Sequence, residues 1–266
     1  MQPPEPSPPP ACYAPLVTTV GKRRMLEFSP GVVQSEMLLA DPSRLVLAYC
    51  RAIMCFALFV PHPRHIIMVG LGGGSLAKFC HRHFPEARIT IIELRADVIA
   101  LRTQFALPPD DARLCVVHAD AATWLADFKG SADVLVVDGF DHSGMAAALG
   151  TARFYADCRR ALADGGVLAA NFISYDPHYP AMLARLSLMF DSRVCWFARA
   201  AGNNRIVFAV KAAIAPQPVP RALRVQQAVV RGAALAVGPV SALLAYGVIV
   251  WLSARAPFRK TTDQVA

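Results

Sequence analysis

The sequence predicts an α/β fold in which a doubly wound, mostly parallel sheet carries helices on both faces and ends in an antiparallel hairpin. Three observations predict it. Between residues 65 and 173, continuous apolar stretches alternate with amphipathic ones, as parallel strands do when crossover helices bury both of their faces. A strand running into clustered glycines, "MVGLGGGSLAKF" (68–79), opens the alternation. Near the end of the domain, "RVCWFAR" (193–199) and "RIVFAVK" (205–211) flank Ala201-Gly202-Asn203-Asn204, a tight turn that makes the two strands antiparallel.

Taken in order, residues 1–10, "MQPPEPSPPP", hold six prolines and no apolar stretch, which predicts a disordered leader and no signal peptide. Residues 15–33 supply a short hairpin turning at Gly21-Lys22. From Pro42 to Phe59 apolar residues recur at helical spacing, opened by Asp41-Pro42 and closed by Pro61 and Pro63. Then come strand 65–72, helix 75–84, strand 88–94, helix 96–105, strand 113–120, short helix 121–128, strand 132–140, helix 152–162, strand 166–173 and helix 178–190. Three units follow: a leader with a short β remnant (1–30), the α/β domain (31–213) and a basic, apolar helical tail (214–266). A parallel sheet with a terminal antiparallel hairpin is the Rossmann-like methyltransferase arrangement rather than that of nicotinamide dehydrogenases. Ser75 also stands where a G-x-G-x-x-G motif would need its third glycine.

The net charge of +8 suggests a nucleic-acid partner until it is partitioned. Six basic residues (Arg221, Arg224, Arg231, Arg255, Arg259, Lys260) face only Asp263 beyond Pro216, so the basicity belongs to the tail and nucleic acid is not an expected partner. The seven cysteines are scattered without metal spacing, which predicts reduced thiols in a cytoplasmic protein and no metal site. Trp124, Phe128, Phe154 and Phe172 read as core.

In a doubly wound sheet the ligand lies across the carboxyl ends of the strands. After the first strand come Gly70, Gly72, Gly73 and Gly74, whose bare backbone lets a nucleoside approach main-chain N–H groups. Glu93 ends the second, about where a carboxylate accepts hydrogen bonds from a ribose diol. Asp120, beside Ala121, ends the third; opening "AATWL", it is equally suited to cap a helix. Asp138 and Asp141 follow the fourth, in "VVDGFDHSG". A carboxylate there can take the proton an amine must lose before attacking an electrophilic carbon, and a sulfonium electrophile suits a pocket of carboxylates and aromatic faces. His142, one residue on, is a candidate for contact with substrate.

The succession "VVQSEM" (32–37), "MVGLGGGSLAKF" (68–79), "IIEL" (91–94), "HADAATWL" (118–125), "VVDGFD" (136–141) and "FYADCRRALADGGVLAANF" (154–172) resembles the spermidine synthase (polyamine aminopropyltransferase) family over residues 31–211. The resemblance implies an enzyme of polyamine biosynthesis. Gln34, the Gly72–Gly74 loop, Glu93, Asp120 and Ala121 would hold decarboxylated S-adenosylmethionine or methylthioadenosine, as co-substrate or product rather than permanent cofactor. Asp138 would be the base that deprotonates a small-molecule amine, with Asp141, Tyr155 and Tyr49 near that amine. It also admits a homodimer. The chain departs from the family at Ser75, at Tyr49-Cys50-Arg51 where a Tyr-His-Glu run is usual, and in "DGFDHSGMAAAL" after the base. Arg51 keeps an S-adenosylmethionine-dependent methyltransferase open, since a cation there suits the methionine carboxylate, and the altered run keeps open a catalytically degenerate nucleoside-binding protein.

Residues 232–254 carry no charge. They read either as membrane contact or as two short helices, broken at Gly238-Pro239 and Gly247, docked on the domain.

Overall fold

The computed structural model describes residues 14–29, 31–141, 144–201, 203–212, 234–237 and 247–252. Three antiparallel strands, β1 (Leu16–Val20), β2 (Arg23–Ser29) and β3 (Val32–Leu38), form a small sheet in the order β1-β2-β3. The turn between β1 and β2 is Gly21-Lys22, as expected, and β3 carries this sheet past residue 30.

The Pro42–Phe59 segment is helical only from Ala48. Helix α1 (Ala48–Ile53) runs into a 3-10 turn at Met54–Leu58, while residues 41–47 are a bridge from Asp41 to Leu38, a turn and irregular backbone. The Arg51 guanidinium explains this: its Nη1 donates to the carbonyls of Leu45 (2.9 Å) and Val46 (2.6 Å), which are thereby satisfied without a further helical turn. Leu45 is still buried, so its apolar character reflects packing of a turn.

The main domain then alternates: β4 (His65–Val69), α2 (Ser75–His83), β5 (Arg88–Glu93), α3 (Ala96–Ala100), β6 (Leu114–His118), α4 (Ala121–Asp127) and β7 (Ala132–Val137). A two-stranded ribbon follows, β8 (Phe140–Asp141) with β9 (Gly144–Met145), then α5 (Ala152–Ala161), β10 (Leu162–Ile173), α6 (Tyr179–Met189), β11 (Val194–Ala201), β12 (Asn204–Val210) and β13 (Ala234–Val237). The large sheet has the order β13-β11-β12-β10-β7-β4-β5-β6. Strands β10, β7, β4, β5 and β6 are mutually parallel, and β12 lies antiparallel between β10 and β11.

Side-chain alternation divides the core. One cluster takes Ile66, Met68, Ile89, Ile91, Val134 and Val136 together with α1 and α2; the other takes Ile67, Val69, Leu135 and Val137 together with α4, α5 and α6. The six described cysteines are free thiols.

Two parts of the tail are described. Residues 234–237 are a strand on β11 rather than part of a helix. Residues 247–252 are helical and send Val248 and Leu252 into the first core cluster. Docking on the domain is therefore seen for that helix. Among the described residues no helix is long and apolar enough to cross a membrane; most of 232–254 lies outside them.

Candidate functional site

The two-residue period of a strand decides what gathers at the carboxyl end of the sheet. Ile66 and Met68 in β4 face the first cluster, and Gly70 is the next position of that parity. By the same count Ile89 and Ile91 lead to Glu93, Val134 and Val136 to Asp138, and Val167 and Ala169 to Asn171. Strand β12 runs the other way, so Asn204 at its beginning lies at this same end, on the face that Ile206 and Phe208 share. Five neighbouring strands thus bring a glycine, two carboxylates and two amides to one edge of one face.

Hydrogen bonds join the last three. Asn171 Nδ2 donates to Asp138 Oδ1 at 2.8 Å, and Asn204 Nδ2 donates to Asn171 Oδ1 at 3.0 Å. From α1, the Tyr49 hydroxyl donates to the Gln34 carbonyl of β3 at 3.4 Å and stands near enough to the Asp138 carboxylate to favour its ionised form. Burial pushes the Asp138 carboxyl up to about 6, and the Asn171 bond and the nearby Tyr49 hydroxyl, which favour the ionised form, oppose it. Tyr49 is pushed well above its ordinary value by burial and then by the charge of Asp138, and Cys50 likewise, so both stay neutral.

Glu93 secures the glycine turn. Its Oε2 accepts from the Leu71 N–H at 2.8 Å and its Oε1 from the Arg95 N–H at 2.9 Å. Each oxygen retains a second lone pair, so the carboxylate can still accept from a diol. Gly72–Gly74 pack against Ser35 of β3 and against Phe105 and Leu107. Beneath the turn, Lys78 of α2 is 3% exposed; its Nζ donates to the Phe105 carbonyl at 2.5 Å and lies 3.2 Å from the Met37 sulfur.

Burial pushes the Lys78 ammonium down to about 8. In the unfolded chain it titrates near 10.4, so between those values the unfolded state binds more protons and stability rises with pH. Urea unfolding of wild type and Lys78→Met is expected to show the wild type gaining up to about 3 kcal/mol on the variant between pH 7 and 10.5. A difference independent of pH would mean that Lys78 titrates normally.

Asp120 caps α4, Oδ1 accepting from the Thr123 N–H at 2.8 Å, with Ala121 buried beside it. Asp120 also borders a groove of about 540 Å³ along α4. Trp124 and Phe128, expected in the core, are instead half-buried; their rings stack at 4.8 Å and line that groove. Phe154 and Phe172 are buried as expected. Tyr155 is packed wholly inside the second cluster, on the face of the sheet opposite Tyr49, and its hydroxyl has no hydrogen-bond partner among the described residues. Asp141 pairs with Gly144 in the β8–β9 ribbon directly after Asp138. His142 lies outside the described residues.

Asn171 and Asn204 were not among the expected site residues. The signal for Asn171 is one amide in the otherwise apolar strand "GVLAANFI", at the ligand end and with the parity of Asp138. Asn204 was hidden as a turn residue, although it already pairs with Ala201.

The sheet order, the glycine turn and the half-buried carboxylate at the strand ends define the class as a methyltransferase-fold domain of Rossmann-like architecture. Within that class the chain belongs to the spermine/spermidine synthase family, whose domain model, "Spermine/spermidine synthase domain", matches residues 46–181. The polyamine aminopropyltransferase of Chromobacterium violaceum is 38% identical over 73% of this chain and 75% of its own length. That of Neisseria meningitidis serogroup A is 36% identical over 73% and 74%. Among solved structures, a probable spermidine synthase from Corynebacterium glutamicum superposes with a TM-score of 0.67 at 20% identity, covering 88% of this chain and 91% of the other, which shows a shared fold.

Proposed function

We propose that this protein is a transferase of polyamine biosynthesis that moves an aminopropyl group from decarboxylated S-adenosylmethionine to a small-molecule amine, with Asp138 as general base. One observation carries the catalytic part of this reading: a half-buried carboxylate at the ligand end of the sheet that accepts from Asn171 Nδ2 at 2.8 Å, with burial pushing it up to about 6. Its family membership supplies the reaction class.

In the reaction the amine nitrogen gives its lone pair to the donor's propyl carbon and the carbon–sulfur bond breaks. That electron pair stays on sulfur, leaving neutral methylthioadenosine. The surplus proton passes from the nitrogen to the Asp138 carboxylate. Gln34, the Gly72–Gly74 loop, Glu93, Asp120 and Ala121 hold the donor, Glu93 through the lone pairs its backbone bonds leave open. Tyr49 stands beside the base on the amine's side, and the family resemblance assigns Asp141 to the amine as well.

The main competitor is a methyltransferase using S-adenosylmethionine itself, and Arg51 was its chief support. In the structure that guanidinium is engaged by the Leu45 and Val46 carbonyls, and the ionised Asp138 would repel a methionine carboxylate. Calorimetric titration with S-adenosylmethionine, its decarboxylated form and methylthioadenosine tests the choice. The last two are expected to bind at least about tenfold more tightly than the first, in the wild type and equally in Arg51→Met, since one unfavourable carboxylate contact costs at least that factor. Preference for S-adenosylmethionine, lost in Arg51→Met, would make the protein a methyltransferase.

A further inference from the structure

Resting on the proposal that Asp138 is the base, we infer that Asn204, acting through Asn171, is a positioning residue that fixes the Asp138 carboxylate as a hydrogen-bond acceptor toward the amine. An amide has a donating and an accepting end, and a buried one must be told which way to lie. Asn171 is 1% exposed, so water does not decide it. Asn204 Nδ2 donates to Asn171 Oδ1, and this leaves Asn171 Nδ2 to donate to Asp138 Oδ1. With Asn171 reversed, its carbonyl oxygen would face the carboxylate, an arrangement that is favourable only once Asp138 has picked up a proton. The Asn204 bond therefore selects the orientation that goes with an ionised base.

The register makes this arrangement a property of the strands. Asn171 pairs with Ile206 and Ile173 with Asn204 across β10 and β12, so the two amides stand diagonally adjacent on the same face. The titratable groups against the carboxylate are Tyr49 and Cys50 from α1, both neutral. Arg51 is turned to the Leu45 and Val46 carbonyls, Glu93 of β5 to the glycine turn, and β4 presents the Gly70 backbone. Among the described groups, the amide chain is thus the lever on Asp138 from the β10–β12 side.

The test compares full-length wild type with Asn204→Ala, Asn171→Ala and the double variant. The probes are decarboxylated S-adenosylmethionine and putrescine, with kcat followed against pH. In parallel, the Asp138 carboxyl is titrated by ¹³C NMR, its signal assigned by its absence in Asp138→Asn. Asn204→Ala is expected to move the carboxyl midpoint upward by about one pH unit and to lower kcat about twofold at about pH 7 and close to tenfold well below about pH 6, with recovery at higher pH, as suits loss of one hydrogen bond. The double variant is expected to match Asn171→Ala alone, because Asn204 acts only through Asn171. An unmoved midpoint in Asn204→Ala, or additive losses in the double variant, would overturn the inference. Asn204→Leu, nearly isosteric but without a donor, gives the same readout if the alanine variant fails to fold. Absence of putrescine turnover in the wild type would count against the reaction assignment, while the carboxyl titration would still decide the role of Asn204.

Discussion

Replacing Asp138 with asparagine is expected to lower kcat by about a thousandfold, within the range a positioned general base contributes, while methylthioadenosine binding changes little. The new amide can still accept from Asn171, since its carbonyl oxygen can take the place of Oδ1, so folding is retained. It cannot take a proton from the attacking amine. In the wild type, kcat is expected to rise with pH through about 6 and then level off, because the carboxyl that burial holds there must be ionised to act. The variant's residual rate is expected to lack that inflection. Turnover of Asp138→Asn within about tenfold of wild type would remove Asp138 from the chemistry, and a fully active variant would leave the glycine turn as the only part of the site with a role.

The site's skeleton was legible because it depends on strand ends. Continuous apolar runs announce buried parallel strands, and their terminal residues Gly70, Glu93, Asp120 and Asp138 could be picked out by position. Direction was harder to read. Arg51 was visible as a charge, but only the fold shows it turned to the Leu45 and Val46 carbonyls. The family resemblance implied that Tyr155 lies near the amine, yet α5 carries it to the face of the sheet opposite Tyr49. Asn171 and Asn204 escaped for the opposite reason. Each has an ordinary local identity, one inside a strand and one at a turn, and their role arises only when β12 inserts antiparallel beside β10. Nothing local to "GNNRIVF" announces that pairing.

Gly70→Ala is expected to be the most damaging single substitution at the site, because fold and chemistry meet there. Gly70 sits at φ +95°, a conformation L side chains rarely adopt, and a Cβ would overlap the Asp138 carbonyl oxygen. That neighbour is backbone, fixed in turn by the bond from the Asp138 N–H to the Val69 carbonyl at 2.9 Å, so it cannot rotate aside. Relief requires the end of β7 to move from β4, which would carry Asp138 away from Asn171. Gly165→Ala separates the two causes. It has φ +78° with nothing within 4 Å of the added carbon, so it reports conformational strain alone, about 1–2 kcal/mol. Gly70→Ala is expected to cost about 2–5 kcal/mol in urea unfolding and, in whatever fraction folds, to lose both methylthioadenosine binding and turnover. Equal costs for the two variants would mean that the turn absorbs the methyl group without moving β7, and donor binding should then survive. A larger cost for Gly70→Ala, with donor binding and kcat falling together, is the result that ties the glycine turn and the base to one piece of backbone.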